Sequence, residues 1–575
     1  MRAPALKDLP ALLVPTAAAW VLAARGAVLP PAVLVLSAGV AALALLAGRR
    51  VVVGAGTPAA WGAALLAWTA ADAAVRPVAA FGATRVVAAG AVALALFLAA
   101  AAPRTVAWGR IAVVSAGACA AVWMTVERAL HATRPAGPFG NPDQAATLVL
   151  VGVATAPLLG APPLLRGLLV VAGAAGVVAS GSRGALLGLV AVAAVWGMVA
   201  RRRRALLAAA AVVAAAGALG LALRLATDRD PLRYERIRIW GVALRVAAAE
   251  FPLGCGPGGY PDAAIAHNFP RDGEFARFAR IPDLAESDFL QAAASLGAPG
   301  IVLLVGFAVA AARRLGGRGA GTWGVAAAVI VTSAVNSQAM VMPVLWTCAL
   351  ALGSVQRRPH GRRATPPAAA LAAAVGVTAA VAAAVLALPD WGMGPNPETV
   401  VERAQAAFRS GPGDDALADA QARVELACAA RPRFGRAWRL LGNIRLRRAT
   451  LRNEAALAES AAEAFARARG VNPLDVWAAL GEASARTSLG DRPAAIRALA
   501  AAVRLEPNCG PAWLQLAGVR LSQGEIELAR QALRRAEDAE RRGRGAAFVT
   551  GYEREMAHLD PATVTRLRTA LGEAR

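Results

Sequence analysis

Residues 289–312 read FLQAAASLGAPGIVLLVGFAVAAA, an apolar stretch with no charged side chain. As an α-helix it is long enough to cross the roughly 30 Å hydrocarbon core of a lipid bilayer, which takes about 20 residues. Further apolar stretches of comparable length lie at residues 9–24, 28–47, 51–71, 84–102, 108–126, 143–160, 164–180, 184–200, 205–226, 320–337, 340–356 and 368–388. The sequence therefore predicts an all-α, polytopic membrane protein with about 13 spans.

The composition supports this class and indicates a domain boundary. Of 575 residues, 57% are hydrophobic and 17% are charged, and the mean hydropathy is +0.50, which is too apolar for a chain built only of soluble domains. After Pro389 the pattern becomes charged, alanine-rich and helical. We therefore expect a membrane domain at residues 1–390 and a soluble domain at residues 398–575.

The net charge of +24 comes almost entirely from arginine, and its placement argues against nucleic acid as a partner. With a cytoplasmic N-terminus, the short cytoplasmic loops carry eighteen Lys and Arg residues, against six in the short loops on the other side. Cytoplasmic loops of membrane proteins are enriched in these residues, so the excess indicates the orientation. The long polar loop at residues 228–287 and the C-terminal domain are then predicted to lie outside the cytoplasm.

The C-terminal domain contains internal repeats. Three related segments open at Trp438, Trp477 and Trp513, each with the pattern Trp-x-x-Leu followed by Gly or Ala. Pro473 and Pro507, which close two of the units, are 34 residues apart. This pattern resembles tetratricopeptide repeats, whose helix pairs stack into an α-solenoid. We expect such a solenoid, with a generic helical bundle as the alternative, and in either case a module that binds a protein partner.

The sequence lacks motifs for metals, nucleotides and covalent catalysis. The five cysteines have no metal-ligand spacing, and no His-Glu-x-x-His, Cys-x-x-Cys or nucleophile elbow occurs. Gly254, Gly256 and Gly259 fit the dinucleotide pattern G-x-G-x-x-G. The segment follows a predicted amphipathic helix and includes Pro257, however, so we interpret it as a loop cap. We predict no metal site and no cofactor.

The polar loop at residues 228–287 concentrates groups that bind anions or transfer protons. It carries Arg229, Arg233, Arg236 and Arg238, then a glycine-rich turn, and after that Glu274, Asp283 and Glu286, with Asp288 just beyond. A membrane protein that keeps about 60 residues outside the lipid at one point is expected to do its chemistry there.

Four outward-facing segments carry further motifs: residues 137–144 (GPFGNPDQ), 181–185 (GSRGA), 235–240 (ERIRIW) and 285–291 (AESDFLQ). Each alone has an ordinary structural explanation, such as Gly and Pro at a membrane edge, an interfacial arginine or a solvated helix face. Arg183 is nevertheless predicted at the start of a helix. There a guanidinium and free backbone N–H groups bind the same anion, for example a pyrophosphate.

Together and in this order, the four segments resemble the O-antigen ligase and lipid-linked glycan polymerase family. The matching residues are Gly137 to Asp143, Ser182 to Ala185, Arg236 to Trp240 with Pro252 to Gly258, and Ala285 to Gln291 with Ser295 to Gly300. The resemblance covers roughly residues 80–350. An outward tetratricopeptide domain is also similar to an architecture found in this family.

The resemblance implies a glycosyltransferase of the bacterial inner membrane. Such an enzyme moves a glycan from undecaprenyl pyrophosphate to a hydroxyl group of a glycan, lipid or protein acceptor on the outer face of the membrane. By match of position, Arg183 and Arg236 would bind the pyrophosphate, with Arg238 as a substitute. No metal-ligand cluster is visible in the sequence, so we expect a metal-independent transfer in which arginine stabilises the leaving group.

The chain departs from the family pattern at the general base. Where the family has histidine this chain has Glu286, and Ser287 and Ser295 stand where the family has Asn and Glu. Glu286 would then be the base, with His267, 19 residues earlier, as the alternative. Two other interpretations remain. The base has been lost and the protein only binds lipid-linked glycan, or the protein is a non-catalytic scaffold that presents its repeats to an envelope-polysaccharide assembly machine.

Overall fold

The chain is helical in the computed structural model. The structure describes residues 13–23, 57–75, 80–102, 105–131, 135, 137–199, 211, 215, 235–270, 275–278, 281–315, 319–337, 341–357, 397–411, 413–546 and 551–573. Within these ranges the regular elements are α-helices, a 3-10 turn at Ala156–Leu158 and an isolated antiparallel bridge between Leu315 and Gln356, so the predicted all-α class is confirmed. The chain divides into two compact units, Met1–Tyr260 with Leu284–Met393, and Pro261–Asp283 with Gly394–Arg575.

The first unit contains the apolar helices. They are α1 Leu13–Ala23, α2 Pro58–Val75, α3 Ala80–Ala101, α4 Val106–His131, α5 Pro142–Thr155, α6 Pro163–Ser180, α7 Arg183–Val199, α8 Glu235–Ala249, α9 Tyr260–Ile265, α10 Asp288–Arg313, α11 Ala320–Val335 and α12 Met342–Ser354. The short helix α9 begins at the last residue of this unit and continues into the second. Helix α4 packs on α5 and α6, α7 on α11, α3 on α12, and both α2 and α8 pack on α10.

Glycines make the closest contacts between these helices. A Cβ on Gly117 of α4 would lie 3.0 Å from the Cα of Gly152 in α5, and a Cβ on Gly176 of α6 would lie 2.8 Å from the Cβ of Ala121 in α4. Small residues at helix interfaces let backbones approach closely, which is how helices associate in lipid, where burial of apolar side chains gives little driving force. The close packing of α4, α5 and α6 fixes the point at which α5 begins.

Three described helices are long and apolar enough to cross a membrane: Val106–Leu130, Pro163–Ser180 and Asp288–Arg313. Shorter apolar helices lie at Ala89–Ala101, Arg183–Val199, Ala320–Val335 and Met342–Ser354. The predicted spans at residues 28–47 and 368–388 lie outside the described residues. The count of about 13 spans therefore stays a prediction.

The second unit contains the C-terminal helices. They are α13 Pro397–Arg409, α14 Asp414–Ala430, α15 Gly435–Arg452, α16 Ala455–Val471, α17 Val476–Ser488, α18 Arg492–Leu505, α19 Gly510–Ser522, α20 Ile526–Arg544, α21 Gly551–Ala557 and α22 Pro561–Ala570. From α13 to α20 each helix packs on the next one along the chain. Packing of each helix on the next one is typical of stacked helix-pair repeats.

The repeat residues have matching contacts in different units of the repeat. The indole N–H of Trp438 donates to the carbonyl of Pro432 at 2.9 Å, and that of Trp513 donates to the carbonyl of Pro507 at 2.8 Å, in both cases across six residues. The glycine of the Trp-x-x-Leu-Gly pattern leaves room for an aromatic ring, since a Cβ at Gly442 or Gly481 would lie within 2.8 Å of Phe465. The sequence pattern therefore reflects packing between successive helices.

Part of the long polar loop packs with the second unit. Phe275 and Ala276 are buried in the same hydrophobic cluster as Val476, Leu499 and Leu533 of the C-terminal helices. The loop of residues 228–287, predicted as one element of the membrane domain, thus contributes its middle section to the second unit.

Candidate functional site

The site in the first unit centres on Arg236, in the first turn of α8. Its Nη2 lies 3.2 Å from Oδ2 of Asp143 and 3.6 Å from Oε2 of Glu286. The three side chains are between one fifth and one third exposed, so they are open to a ligand but partly shielded from water. One guanidinium is therefore held between two carboxylates that come from segments far apart in sequence.

Asp143 is placed by the turn at residues 137–141 and the start of α5. Gly137 and Gly140 have φ of 68° and 67°, a region that favours glycine because it lacks a Cβ. The side chain of Asn141 then caps α5 by accepting a hydrogen bond from the backbone N–H of Asp143 at 2.9 Å. Asp143 therefore stands in the first turn of α5, where the helix dipole favours a negative charge.

Glu286 is held in an unusual backbone conformation just before α10. Its φ is 51°, in the left-handed region, which costs a residue with a Cβ about 1 kcal/mol. The indole N–H of Trp240 donates to the Glu286 carbonyl at 3.2 Å, and the N–H of Ser287 donates to Oγ of Ser337 at 3.1 Å. Ser287 also caps α10, because its side chain accepts from the N–H of Leu290. Strained residues that persist against such a cost are concentrated at functional sites.

The glycine turn that follows α8 docks into a kink of α10. The N–H groups of Cys255 and Gly256 donate to the carbonyls of Ala294 and Ser295, both at 2.9 Å, and the N–H of Ala298 donates to the carbonyl of Pro252 at 2.8 Å. The kink lies at Gly297, where φ is 64° and ψ is −159°. A Cβ there would lie 2.1 Å from the Pro252 carbonyl oxygen, so only glycine fits. The turn thereby fixes α8, and with it Arg236, against α10.

Tyr260 is a site residue that sequence reasoning missed. Its side chain is fully buried, and its hydroxyl has no hydrogen-bond partner among the described residues. Burial raises the pKa of the Tyr260 phenol well above its usual range, and the nearby Cys255 and Glu286 raise it further. The hydroxyl stays protonated and available as a donor beside the Glu286 carboxylate. A single tyrosine in a glycine-rich turn gives no sequence pattern that would have identified it.

Arg183 begins α7, as predicted, and lies two residues after Gly181, which has the left-handed conformation. The next residue, Gly184, packs so closely on α11 that a Cβ would lie 3.3 Å from Nδ2 of Asn336. Asn336 Nδ2 in turn lies 3.5 Å from Oγ1 of Thr147 on α5, at the limit of a hydrogen bond. Asn336 and its neighbour Ser337, at the end of α11, therefore join the starts of α5, α7 and α10. Neither residue was predicted to take part in the site.

The other predicted site residues occupy different surroundings. Arg238 lies two residues beyond Arg236 on α8, which turns its side chain to a different face, and it is exposed. His267 follows α9 and belongs to the second unit. Arg229, Arg233 and Glu274 lie outside the described residues. The structure thus brings Arg236 and Glu286 into contact. The roles in the reaction given to these two residues stay predictions, as do those given to Arg183, Arg238 and His267.

An apolar pocket of about 330 Å³ lies within the first unit. Apolar side chains such as Leu66, Leu94 and Phe307 make up most of its wall, and the polar residues Asp288, Gln291 and Ser295 of α10 line it as well. Because Asp288 is only two residues beyond Glu286, this pocket and the ion-paired site share the start of α10. The geometry suits a ligand with an apolar chain and a polar head group.

The described residues include no metal-binding group, and two of their cysteines are unreactive. No group of three or more His, Cys, Asp and Glu side chains there could hold a metal ion. Cys428 and Cys509 are free and buried, and burial raises the pKa of each thiol to about 12, so neither is a thiolate nucleophile.

A family model matches part of the chain. The family model of O-antigen ligase matches residues 168–305, a range that includes Arg183, Arg236, Tyr260 and Glu286. The resemblance predicted from the motifs is therefore confirmed for this region, and it supports a membrane function of the O-antigen ligase type.

Two similar solved structures each cover a small part of the chain. A crystal structure of MamA is 18% identical, with 26% of this chain and 82% of that chain covered and a TM-score of 0.23. A second MamA structure is also 18% identical, with 30% and 88% covered and a TM-score of 0.24. No curated protein matches the chain.

Proposed function

We propose that this protein transfers a glycan from undecaprenyl pyrophosphate to a hydroxyl group of an acceptor on the outer face of the bacterial inner membrane. The main support is the Arg236 guanidinium, held between the carboxylates of Asp143 and Glu286. Such a group of one cation and two carboxylates can bind an anionic leaving group and accept a proton. The match of residues 168–305 to O-antigen ligase points to the same reaction class.

Arg236 is the group proposed to receive the pyrophosphate. A guanidinium presents several N–H donors in one plane and matches the geometry of phosphate oxygens. In the resting site two carboxylates orient it, so little order has to be created when the donor binds. The pyrophosphate would replace one or both carboxylates as the partner of Arg236, with Arg183 at the start of α7 as a second cation.

Glu286 is the proposed general base. In the transfer, the acceptor hydroxyl oxygen attacks the anomeric carbon of the donor sugar and the bond between that carbon and the pyrophosphate oxygen breaks. The hydroxyl proton passes to Glu286, and the pyrophosphate leaves with the bonding electron pair. When the pyrophosphate takes over Arg236, the Glu286 carboxylate is released from its ion pair at the moment a base is needed. The protonated Tyr260 hydroxyl, buried beside Glu286, can donate a hydrogen bond to a sugar or phosphate oxygen.

The apolar pocket is the proposed place for part of the polyprenyl chain. Its wall is largely aliphatic and aromatic, and it includes α10 residues next to Glu286. A lipid-linked donor needs this combination, because its chain stays in an apolar environment while its head group reaches the polar loop.

The experiment is a transfer assay with the purified full-length protein in detergent, a polyprenyl-pyrophosphate oligosaccharide and an acceptor. Glu286→Gln keeps the shape of the side chain and removes the proton acceptor, so the turnover number should fall by about a hundredfold or more. His267→Ala, which removes the alternative base, should leave it within a few-fold of wild type.

If His267→Ala abolishes transfer while Glu286→Gln leaves it intact, His267 is the general base and the protein is still an enzyme. Full activity in both variants would refute the proposed acid–base chemistry. If neither variant changes the envelope polysaccharide while deletion of residues 398–575 abolishes it, a non-catalytic scaffold explains the protein better.

A further inference from the structure

The section of the polar loop at residues 261–283, here called the loop segment, is held by the second unit near its first residues. Arg431 makes a two-point ion pair with Asp262, in which Nε and Nη2 each lie 2.8 Å from a carboxylate oxygen. Both side chains are largely buried, and the Arg431 guanidinium also stacks over the Phe434 ring at 4.7 Å. Two-point pairs of this type are strong and specific in orientation. This N-terminal anchor fixes the segment at its second residue.

A different set of contacts holds the loop segment further along. Phe275 and Ala276 are buried among the C-terminal helices, and Ala276 has a φ of 53°. The carboxylate of Glu506, which is 1% exposed, accepts the backbone N–H of Phe278 at 3.2 Å and also bonds to the backbone of Arg277. Buried aromatic and backbone contacts of this kind resemble those with which a receptor holds a peptide. These contacts form the C-terminal anchor.

The two anchoring residues occupy equivalent positions in the repeats. Arg431, Asn472 and Glu506 are each the C-terminal capping residue of a helix, α14, α16 and α18, and each precedes the closing proline of its unit. At the middle position Asn472 bonds locally, to the N–H of Leu474 at 3.1 Å. At the two outer positions a charged side chain takes its place and contacts the loop segment. The same capping position therefore carries an arginine that binds the carboxylate of Asp262 in one repeat, and a glutamate that accepts backbone N–H groups of the loop segment in another.

The anchored segment is continuous with the candidate site at both ends. Tyr260 immediately precedes its first residue, Pro261, and Glu286 follows its last residue, Asp283, by three positions. Among residues 263–270, the described part between the anchors, regular structure ends with α9 at Ile265. A short chain held at two points restricts the residues that flank it, because loop entropy is lost on closure.

We propose that the partner of the repeat region, residues 398–575, is the chain's own loop segment, and that this contact keeps Tyr260 and Glu286 in the positions that transfer requires. Arg431, Asp262 and Glu506 are then positioning residues, since they act through the loop and not on the substrate. The effect on transfer rests on the proposed function. The anchoring itself does not.

The test compares Arg431→Gln with a matched control, Arg448→Gln, in the full-length protein in detergent. Arg448 pairs with Asp414 inside the same unit with similar geometry, at 2.8 Å through Nε, and is similarly buried. It contacts helix residues and no loop residue among its hydrogen bonds and ion pairs. Hydrogen exchange of peptides covering residues 261–283 and the turnover number of transfer are measured for each variant.

Arg431→Gln removes the two-point partner of a buried carboxylate, so exchange in the loop segment should rise at least about tenfold. Turnover should fall by about tenfold or more, while the affinity for the donor changes little. The double variant Arg431→Gln with Asp262→Asn removes both charges and should recover part of the loss, which a general structural defect would not do. Arg448→Gln should change neither loop exchange nor turnover.

Unchanged loop exchange in Arg431→Gln would overturn the anchoring. Increased exchange with wild-type turnover would overturn its role in positioning, as would an equal loss of turnover in Arg448→Gln. Exchange is measured without substrate. A wild-type protein that shows the anchored loop but transfers no glycan would therefore refute the proposed function and leave the anchoring established.

Discussion

Glu506→Gln tests quantitatively how much the buried carboxylate of the C-terminal anchor costs in stability. Glu506 lies in the turn between α18 and α19, where one carboxylate oxygen accepts the Phe278 N–H and the other, Oε2, is buried without a hydrogen-bond partner among the described residues. Burial raises the pKa of Glu506 from its ordinary value of 4.5 to about 7, although the hydrogen bonds from the loop backbone and the Arg277 charge oppose the shift. The folded protein thus holds a proton that the unfolded chain releases.

The sign and size of the effect follow from this difference. Below pH 4.5 Glu506 is protonated in both the folded and the unfolded protein, so its burial does not lower the free energy of unfolding through a buried charge. Between pH 4.5 and 7 the unfolded state loses its proton while the folded state keeps it, so stability falls as the pH rises, and above pH 7 the loss is complete. The difference between a pKa of 4.5 and one of about 7, at about 1.36 kcal/mol for each tenfold change in proton affinity, amounts to about 3 kcal/mol. Glutamine keeps the acceptor for Phe278 and cannot ionise, so the variant should avoid this loss.

The expected result is that Glu506→Gln matches wild type at pH 4.5 and stabilises the second unit by up to about 3 kcal/mol at pH 8. The free energy of local unfolding is obtained from hydrogen exchange of amides in α18 and α19, corrected for intrinsic exchange at each pH. Glu482→Gln, which removes a carboxylate paired with Arg469 in the same unit, should show no gain at pH 8. A variant less stable than wild type at pH 8, or a difference that does not depend on pH, would refute the assignment of a costly buried charge at Glu506.

Two further predictions concern the arginines and the orientation. Arg236→Lys keeps the charge but loses the planar fork that contacts both carboxylates, so turnover should fall by at least about tenfold, and Arg183→Lys should act in the same direction. Arg238→Lys, at an exposed position on the same helix, should stay within about twofold, and wild-type turnover in all three variants would remove arginine from the proposed chemistry. A reporter that is active only outside the cytoplasm should be active after Arg575 or near Gly273 and silent after Arg204. An inactive fusion after Arg575 would mean an even number of spans.

The sequence predicted the helical class because apolar stretches near the bilayer thickness are visible without any tertiary information. It also indicated which four segments matter, and the structure joins three of them directly at Arg236: Asp143 from the first, Arg236 from the third and Glu286 from the fourth. The resemblance was needed for this, since a single Asn-Pro-Asp or Ser-Arg-Gly motif is weak evidence. The ion pair itself could not be predicted, because it depends on which helix ends meet.

Other parts of the site gave no signal in the sequence. Asn336 and Ser337 follow an apolar helix, where polar residues are common at the membrane surface. Their contacts, with Thr147 and Ser287, lie 189 and 50 residues away along the chain. Tyr260 matters through burial, which is a property of the fold. The anchoring of the loop segment was also missed, because Arg431 and Glu506 resemble solvated charges of a helical repeat until their partners are seen.

The backbone bonds between the glycine turn and the kink of α10 make the chain from Pro252 to Ala298 a ring closed at its base. The number of residues in such a closed loop can change at small cost, since doubling the length of a loop costs only about 0.6 kcal/mol in chain entropy. Insertions or deletions between the N-terminal and C-terminal anchors of the loop segment would therefore leave the base, and the helix starts beside it, in register. Gly254 and Gly297 at the base have no such tolerance, because a Cβ at Gly254 would lie 2.6 Å from the backbone nitrogen of Gly297 and a Cβ at Gly297 would lie 2.1 Å from the carbonyl oxygen of Pro252.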